Sequence, residues 1–338
     1  TLLREAGDLD AAIDSILAAA ASMAHMGALI VARTYIDRAR RWLDDEGVAG
    51  DSPLRGRVLY GDAFFRFSAL EYDECLEVLS PAQEIFQGAG DRLFVGRCRI
   101  LEAGLYFFQD RFAETERIAA ELLDDLSQDD HELRFLAVHK LVQLAGQRDD
   151  FESVCRLAKE CRREARIMGV AWRERMAEVT LAEGEIALGQ IDRAEARLRK
   201  TVADCEREGD MFVLNEALDI AIWLDFLRKR HGAIRARLEV RLAAAVRARD
   251  RWRETFFRIL EALLAAEVGD DAVASEAATA MVTAFEGAVH DEPFSRWALE
   301  RTAARLEERG LADAGGLVRG LYEARRRTVR AAFGLDTD

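Results

Sequence analysis

The sequence is poor in residues that interrupt helices and lacks the pattern that builds strands. Only three of its 338 residues are proline, namely Pro53, Pro81 and Pro293. Because proline removes a backbone donor and clashes with the preceding helical turn, so low a content lets helices run uninterrupted. Alternation of β-branched and polar residues, which marks a half-buried strand, is also absent. Both absences favour an all-α protein.

An apolar run long enough to cross a bilayer is missing as well. The longest candidate, from Ile16 to Ile30, is broken by Ser22, His25 and Gly27, whereas a spanning helix needs about 18 consecutive apolar residues. The chain also opens without a basic segment followed by an apolar run, the mark of a secretory signal. We therefore expect a cytoplasmic protein that makes no membrane contact.

Basic residues are in deficit, with 48 lysines and arginines against 62 acidic residues and a formal charge of −14. Since nucleic-acid binding depends on a surplus of positive charge, direct binding of DNA or RNA by this region is not expected. The five cysteines form no CxxC pair and match no zinc-module spacing, so buried, reduced thiols are predicted. They are Cys75, Cys98, Cys155, Cys161 and Cys205.

Signatures of catalysis are equally scarce. The sequence has no GxSxG or SxxK motif, no pair of histidines four residues apart and no GxxxxGK[ST] loop. The acidic residues from Asp124 to Glu132 could form a cation site around His131. They lack the turn glycine of calcium loops, however, and a solvated loop explains them better. We predict no catalytic residue, metal or other cofactor, and expect the protein to act by binding.

What the sequence does contain is a repeat of about 40 residues. Apolar residues recur at helical spacing, and turns rich in glycine and acidic residues separate the helical segments. After most turns comes a bulky or aliphatic residue and, three positions later, a small one that would let two helices approach closely. The pairs are Leu29 and Ala32, Tyr72 and Cys75, Phe112 and Thr115, Phe151 and Val154, Ile191 and Ala194, Ala233 and Ala236, Ala272 and Ser275, and Leu311 and Ala314. Their first members are 39 to 43 residues apart, which indicates stacked helical hairpins.

The period predicts an α-solenoid of about eight hairpins that forms a single domain over residues 1–338. The predicted hairpins span residues 9–45, 53–87, 92–126, 131–167, 170–209, 211–249, 251–290 and 291–332. Residues 1–6 have the pattern of the tail of an earlier helix. We therefore expect the chain to be a fragment of a longer, multidomain protein.

The clearest unit, residues 181–205, resembles the tetratricopeptide repeat. The matching positions are Leu181, Ala182, Gly189, Ile191, Ala194, Leu198 and Val202. That family has a usual period of about 34 residues, and roughly one extra turn in each helix would account for the longer period here. HEAT repeats also have periods near 40, but the alanine three residues after the bulky residue that follows the turn favours the tetratricopeptide resemblance.

The opening segment carries a second resemblance. The residues concerned are Leu3 to Asp8, Ala11, Ala12, Ala18 to Ala21, Ala32, Tyr35, Arg38 and Ala39. They are similar to the start of the tetratricopeptide sensor region in bacterial STAND signalling ATPases, which include large LuxR-type regulators, the maltose-regulon activator and antibiotic-regulatory proteins. The resemblance implies a region that binds an inducer or partner and regulates transcription. A free-standing scaffold for protein–protein interaction is the alternative.

In tetratricopeptide arrays the first helix of each hairpin lines the concave face, which implies a candidate binding surface in hairpins two to four. The residues that would point inward are Arg57, Tyr60, Phe64, Arg97, Phe108, His139 and Gln143. Aromatic residues at helical spacing are more often core, so burial is the competing interpretation. A wall of rings and arginines would suit a small effector or an amphipathic protein partner, and self-association is also open.

Asparagine is almost absent, since Asn215 is the only one. Tetratricopeptide proteins that hold an extended peptide use asparagines along their inner helices, and the chaperone-tail clamp needs them together with lysines. The resemblance therefore implies neither mode for this chain.

Residues 228–253 form a basic stretch in which only Glu239 and Asp250 oppose the arginines. The stretch could dock an acidic partner, or an acidic face of this same protein. Alternatively, its aliphatic stems cover apolar surface, which is the more usual role of a lone basic stretch in an acidic chain.

Ala194 lies where the two helices of the fifth hairpin should approach closely. Ala194→Arg is expected to overpack that contact and lower the free energy of unfolding by about 1–3 kcal/mol. Denaturant unfolding measures the change, and an unaltered midpoint would show that the register assigned to this repeat is wrong.

Overall fold

The computed structural model describes residues 7–25, 28–248, 251–285 and 293–335. Within these ranges the chain forms sixteen α-helices and no strand, which confirms the all-α helical-repeat prediction. The helices are α1 (Leu9–His25), α2 (Leu29–Asp45), α3 (Pro53–Ser68), α4 (Tyr72–Ala89), α5 (Arg92–Phe108), α6 (Phe112–Asp125), α7 (His131–Gln147), α8 (Phe151–Ile167), α9 (Ala171–Ala187), α10 (Ile191–Glu208), α11 (Met211–Leu227), α12 (His231–Ala248), α13 (Arg251–Val268), α14 (Asp271–Phe285), α15 (Pro293–Glu308) and α16 (Ala312–Ala332). None of these helices is long and apolar enough to cross a membrane.

Consecutive helices form eight hairpins that follow the predicted ones closely. The fifth, for example, covers residues 171–208 where 170–209 was expected. Ser52 caps α3 by accepting a hydrogen bond from the backbone N–H of Leu54 at 3.3 Å, and α4 continues through Pro81. The predicted tail at residues 1–6 and the predicted boundaries at 249, 290 and 291 lie outside the described residues.

Most of the described turns contain one residue with a positive φ. Glycine, which has no Cβ to clash in this conformation, occupies seven of the turns between helices. These glycines are Gly47, Gly90, Gly169, Gly189, Gly209, Gly269 and Gly310. In four further turns the same conformation is adopted by Leu70, Asp110, Asp149 and Lys229, with φ between 56° and 64°. The turn geometry is therefore kept where the residue type is not glycine.

The left-handed residue inside a hairpin sets the register of the helix that follows. In hairpins two to eight, the residue five positions after it is buried; these residues are Cys75, Thr115, Val154, Ala194, Ile234, Ala274 and Gly315. The predicted contacts at Ala236, Ser275 and Ala314 are therefore wrong, since Ala236 is exposed and the other two are only half-buried. The error in hairpin six arises because the sequence predicts the turn at Gly232, whereas the chain turns at Lys229.

The described residues fall into two compact units, and the first comprises residues up to Phe107 together with 117–126. Its hairpins one and two pack through α1 and α3. A Cβ built on Gly61 would lie 2.7 Å from Cδ2 of Leu17, so glycine allows these helices to approach. Beyond this contact, Phe86 of α4 stacks on Phe94 of α5 with ring centroids 4.6 Å apart.

A buried carboxylate joins α2 to α3 in the first unit. Asp62 has no exposed surface. It accepts hydrogen bonds from Arg66 at 3.2 Å, from Arg33 at 3.4 Å and from Arg40. Because a buried charge without a partner costs several kcal/mol, Asp62 can stay charged only while these arginines compensate it.

The second unit comprises residues 108–116 and 127 onward. One apolar core extends through it from Val179 to Val318. Aromatic rings gather where α11 meets α15: Trp223 stacks on Phe294 at 4.7 Å, and Trp297 lies 5.6 Å from Trp223. The last hairpin therefore packs, through α15, on α11, which lies four helices earlier in the chain.

The basic stretch is largely neutralised within the second unit. Arg228 and Arg230 pair with Glu195 at 3.3 and 2.8 Å, Arg237 with Asp225, Arg241 with Asp219 at 2.6 Å, and Arg253 with Glu216 at 2.7 Å. The side chains of residues 249–252 lie outside the described part. The sequence analysis left open whether the basic stretch docks on acidic groups or covers apolar surface. For these five arginines, acidic groups of this same protein are the partners.

The cysteines are free thiols, as predicted. Cys155 is half-buried and the other four are buried. Burial raises the pKa of the Cys75 thiol to about 12, so it stays protonated and poorly reactive near neutral pH.

Leu70 is half-exposed and holds the left-handed conformation that glycine adopts without strain. Leu70→Gly should raise the free energy of unfolding by about 0.5–1 kcal/mol, because the relieved strain exceeds the extra chain entropy of the unfolded state. Gly189→Ala, at φ 74° with open space around its Cβ, is the matched reverse change and should destabilise by a similar amount. Urea unfolding of both variants measures the effect; two changes of the same sign would contradict the role given to these residues.

Candidate functional site

A pocket of about 460 Å³ opens in the first unit between α1, α3 and α5. Its lining residues are Asp14, Leu17, Ala18, Ala21, Arg57, Tyr60, Gly61, Phe64, Phe94 and Arg97. Small side chains of α1 and aromatic rings of α3 and α5 line it. Pockets of roughly 300–1,000 Å³ are typical of ligand sites.

The aromatic wall is built around Phe94. Its ring lies edge-on to Tyr60, with centroids 5.7 Å apart and an interplanar angle of 86°. The guanidinium of Arg97 lies 4.6 Å from the centre of the Phe94 ring, and that of Arg57 lies 5.9 Å from it. Each guanidinium is attracted to the ring, because the face of the ring carries negative potential.

The polar side of the pocket is an ion pair between repeats. Arg57 donates to both carboxylate oxygens of Asp14 at 3.2 Å. The Asp14 side chain is 59% exposed, whereas that of Arg57 is 23% exposed. The guanidinium is thus held at the pocket wall by a partner that water, or a ligand, can compete with.

The structure brings four of the seven predicted residues together in this pocket, namely Arg57, Tyr60, Phe64 and Arg97. It adds Phe94 and Asp14, which were not predicted. Asp14 could have been found, since Asp14, Arg57 and Arg97 are separated by 43 and 40 residues and therefore occupy equivalent repeat positions. Phe94 carried no such signal, because its place in the wall depends on how α5 packs.

The other three predicted residues belong to the second unit. Phe108 is half-buried at the end of α5. His139 lies parallel to Phe135 with centroids 6.2 Å apart and lines a cavity of only about 10 Å³. Gln143 accepts a hydrogen bond from Lys140 at 3.0 Å. A cavity of that size holds one water molecule at most, so it is too small for a ligand.

Several titratable groups of α7 and α9 have pKa values shifted in favour of their neutral forms. Burial lowers the pKa of His139 to about 4, helped by Lys140 and Arg173, and lowers the pKa of Lys140 to about 8. Burial also raises the pKa of Glu183 to about 7, against the opposing effect of Arg296. These half-buried groups are surrounded by protein on most sides, which disfavours their charged forms.

The acidic residues near His131 do not gather around it. Its Nδ1 instead lies 2.7 Å from a carboxylate oxygen of Glu164, which is buried. Among the residues whose placement is described, no group of three or more histidine, cysteine, aspartate or glutamate side chains is arranged to hold a metal ion.

No family model matches this sequence, and no curated protein matches it significantly. Solved structures do match. A Rap protein complexed with competence and sporulation factor gives a TM-score of 0.61 at 13% identity, covering 96% of this chain and 99% of that chain. The apo form of RapI gives 0.60 at 11% identity, covering 82% and 99%. Aspartyl phosphate phosphatase F from Bacillus subtilis gives 0.56 at 11% identity, covering 96% of each chain. At such identities the likeness establishes a shared helical-repeat fold.

The depressed pKa of His139 has a consequence for stability. In the unfolded chain this histidine takes up a proton near its ordinary pKa of 6.5, whereas the folded chain resists protonation down to about 4. Between these values the unfolded state binds more protons, so acidification from 6.5 towards 4 lowers the free energy of unfolding. His139→Phe removes this contribution and should flatten the decline. Urea unfolding at several pH values tests it, and parallel profiles for the two proteins would contradict the assignment.

Proposed function

We propose that this chain is a helical-repeat binding and regulatory module whose pocket in the first unit receives a short amphipathic segment of a protein partner. The observation that supports this proposal is the convergence of aromatic rings and two arginines on one opening of about 460 Å³. Aromatic and arginine side chains are the types that most often dominate binding energy. A volume of this size accommodates a few side chains of a docked segment.

The charges of the lining favour an acidic segment. Arg57 and Arg97 outnumber Asp14, and all three lie on the pocket wall. A carboxylate of the partner can replace Asp14 at Arg57, because Asp14 is largely exposed and can turn to solvent. A charged pair formed inside a partly desolvated pocket is stronger than one on open surface.

The apolar walls favour a bulky side chain beside that carboxylate. Leu17 and Ala21 of α1 line the opening together with Tyr60 and Phe64 of α3. An aromatic or leucine side chain inserted there would contact carbon on both sides, at roughly 25 cal/mol per Å² of apolar surface removed from water. The favoured ligand therefore carries a carboxylate next to a large apolar group.

We also propose the kind of protein to which this module belongs. The resemblance of the opening segment supports a sensor region of a bacterial signalling ATPase that regulates transcription. The likeness to a Rap protein complexed with a factor supports a free-standing regulator equally well. A GxxxxGK[ST] motif encoded upstream in the same gene would decide for the ATPase, and a nearby start codon without it would decide for the free-standing protein. In both settings we propose that the chain acts by binding and not by catalysis.

The pocket can be tested with displayed random peptides selected on the full chain. We expect enrichment of sequences with aspartate or glutamate next to an aromatic residue or leucine. Arg57→Ala combined with Tyr60→Ala should weaken a selected peptide by about 1–4 kcal/mol in fluorescence anisotropy, because both the charge and the ring contacts are lost. Arg57→Ala with Tyr60→Phe should lose less, because the ring is kept.

The control is Arg235→Glu combined with Arg247→Glu, two exposed positions of α12 outside the pocket. These substitutions should leave the affinity for the selected peptide nearly unchanged. Equal binding to the wild type and the Arg57/Tyr60 variant, or loss of binding in the control, would move the site away from the first unit.

A further inference from the structure

The last hairpin of the second unit contacts turns that lie far earlier in the sequence. Arg296 of α15 reaches the turn between α7 and α8, and Arg325 of α16 reaches the turn between α5 and α6. The partners are separated by about 150 and 215 residues. In a stacked repeat each hairpin normally contacts only its neighbours, so these contacts are an additional closure within the unit.

The first closing contact is made by Arg296, which is 5% exposed. Its guanidinium donates to the side-chain oxygen of Gln147 at 2.8 Å, to the carbonyl of Gly146 at 2.9 Å and to the carboxylate of Asp149 at 2.8 Å. The carbonyl of Gly146 belongs to the last turn of α7, where helix carbonyls lack partners within the helix. Arg296 therefore caps the end of α7 from the opposite end of the unit.

The second closing contact is a two-pronged ion pair supported by stacking. Arg325 donates to both carboxylate oxygens of Asp110, at 2.7 and 2.8 Å. Next to it, the rings of Phe112 and Phe333 lie 4.7 Å apart, and the guanidinium of Arg148 lies 4.2 Å from the centre of the Phe333 ring. Two parallel hydrogen bonds between arginine and carboxylate make such a pair both strong and geometrically specific.

The two receiving carboxylates share an unusual backbone. Asp110 and Asp149 adopt φ of 56° and 57°, in the left-handed region where most other turns of this chain have glycine. They are 39 residues apart and therefore occupy equivalent positions in successive hairpins. Aspartate tolerates this conformation better than most residues other than glycine, and it adds a carboxylate side chain that glycine lacks. That side chain is, in both turns, the acceptor for an arginine of the last hairpin.

We propose that the C-terminal end of α16 is a reversible clasp, which closes the second unit by docking Arg325 on the turn carboxylate of Asp110, while Arg296 keeps the start of α15 on the turn at Asp149. The contacts described at this end are the Arg325–Asp110 ion pair, the Phe112–Phe333 ring pair and Arg148 against Phe333. The rest of the last hairpin is packed into the apolar core of the unit through α15 and the first half of α16. The end of a helix held in this way can open while the core that precedes it stays folded.

When this clasp opens, Asp110 and Phe112 lose the contacts that they make with the end of α16, whereas Arg296 stays on α7. The clasp therefore controls whether the turn between α5 and α6 is covered. This inference does not depend on the pocket of the first unit.

The test removes the two carboxylates without disturbing the turns. In the full chain, Asp110→Gly combined with Asp149→Gly installs the residue found at the equivalent positions of other hairpins, so the backbone should be kept. We expect amide hydrogen exchange at residues 328–335 and 108–116 to become about tenfold faster or more, because the charge-assisted bonds that hold the clasp are lost. Exchange in α9 and α11 should stay as in the wild type.

Lys229→Gly is the matched control, because Lys229 is a non-glycine residue of the same conformation outside the clasp. It should leave exchange at residues 328–335 unchanged. A second variant exchanges the charges, with Asp110→Arg and Arg325→Asp, and should be slower to exchange at residues 328–335 than Arg325→Asp alone. Unchanged exchange in the double glycine variant, acceleration spread evenly over the unit, or no rescue by the charge exchange would each overturn the clasp.

Discussion

The structure depends on one recurring backbone constraint, a single left-handed residue in the turn inside each hairpin from the second to the eighth. This residue reverses the chain and fixes which side chain of the next helix is buried five positions later, from Cys75 in the second hairpin to Gly315 in the eighth. Since each hairpin buries its face on the next, an error of one residue at a turn would rotate a helix by about 100° and expose its apolar face. The turns must therefore keep their geometry even where glycine is replaced.

That constraint explains why charged residues occur deep inside the repeats. Once the helix register is set, equivalent positions face equivalent surroundings, and arginines of second helices meet carboxylates of first helices. Asp62, Glu185 and Asp225 are all buried and are each paired with at least two arginines. The net charge of the chain is strongly negative, yet these inner carboxylates are compensated locally. Removing one partner of a buried ion pair lowers the free energy of unfolding by more than the intact pair adds to it. The pairs therefore act chiefly to specify how the helices dock.

The candidate sites arise where equivalent positions carry different residues. Asp14, Arg57 and Arg97 occupy equivalent positions on three successive first helices, and these one negative and two positive charges lie next to aromatic rings in the pocket. Asp110 and Asp149 likewise differ from the glycines of other turns, and this difference makes them acceptors for the last hairpin. In this repeat protein, the candidate sites lie where equivalent repeat positions carry different residue types.

Much of the architecture could be predicted from the sequence, because helical periodicity and glycine turns are local signals. The eight hairpins, the free cysteines and the first five buried contacts, up to Ala194, were expected and are confirmed. The register of the sixth hairpin was wrong at Ala236, because a lysine with positive φ leaves no mark in the sequence. Four of the seven expected site residues share one pocket, but their role in binding stays a prediction.

The sequence by itself determined the elements, their order and the period at which they stack, since these follow from residue patterns within about 40 positions. Tertiary structure alone decided which distant groups meet: Arg325 with Asp110, 215 residues away, and the ring of Phe94 with the guanidinium groups of Arg57 and Arg97. The physical reason is that small rotations between successive hairpins accumulate along a repeat. Their sum, which no local pattern encodes, sets whether the ends of a unit come together and how wide a pocket stays open.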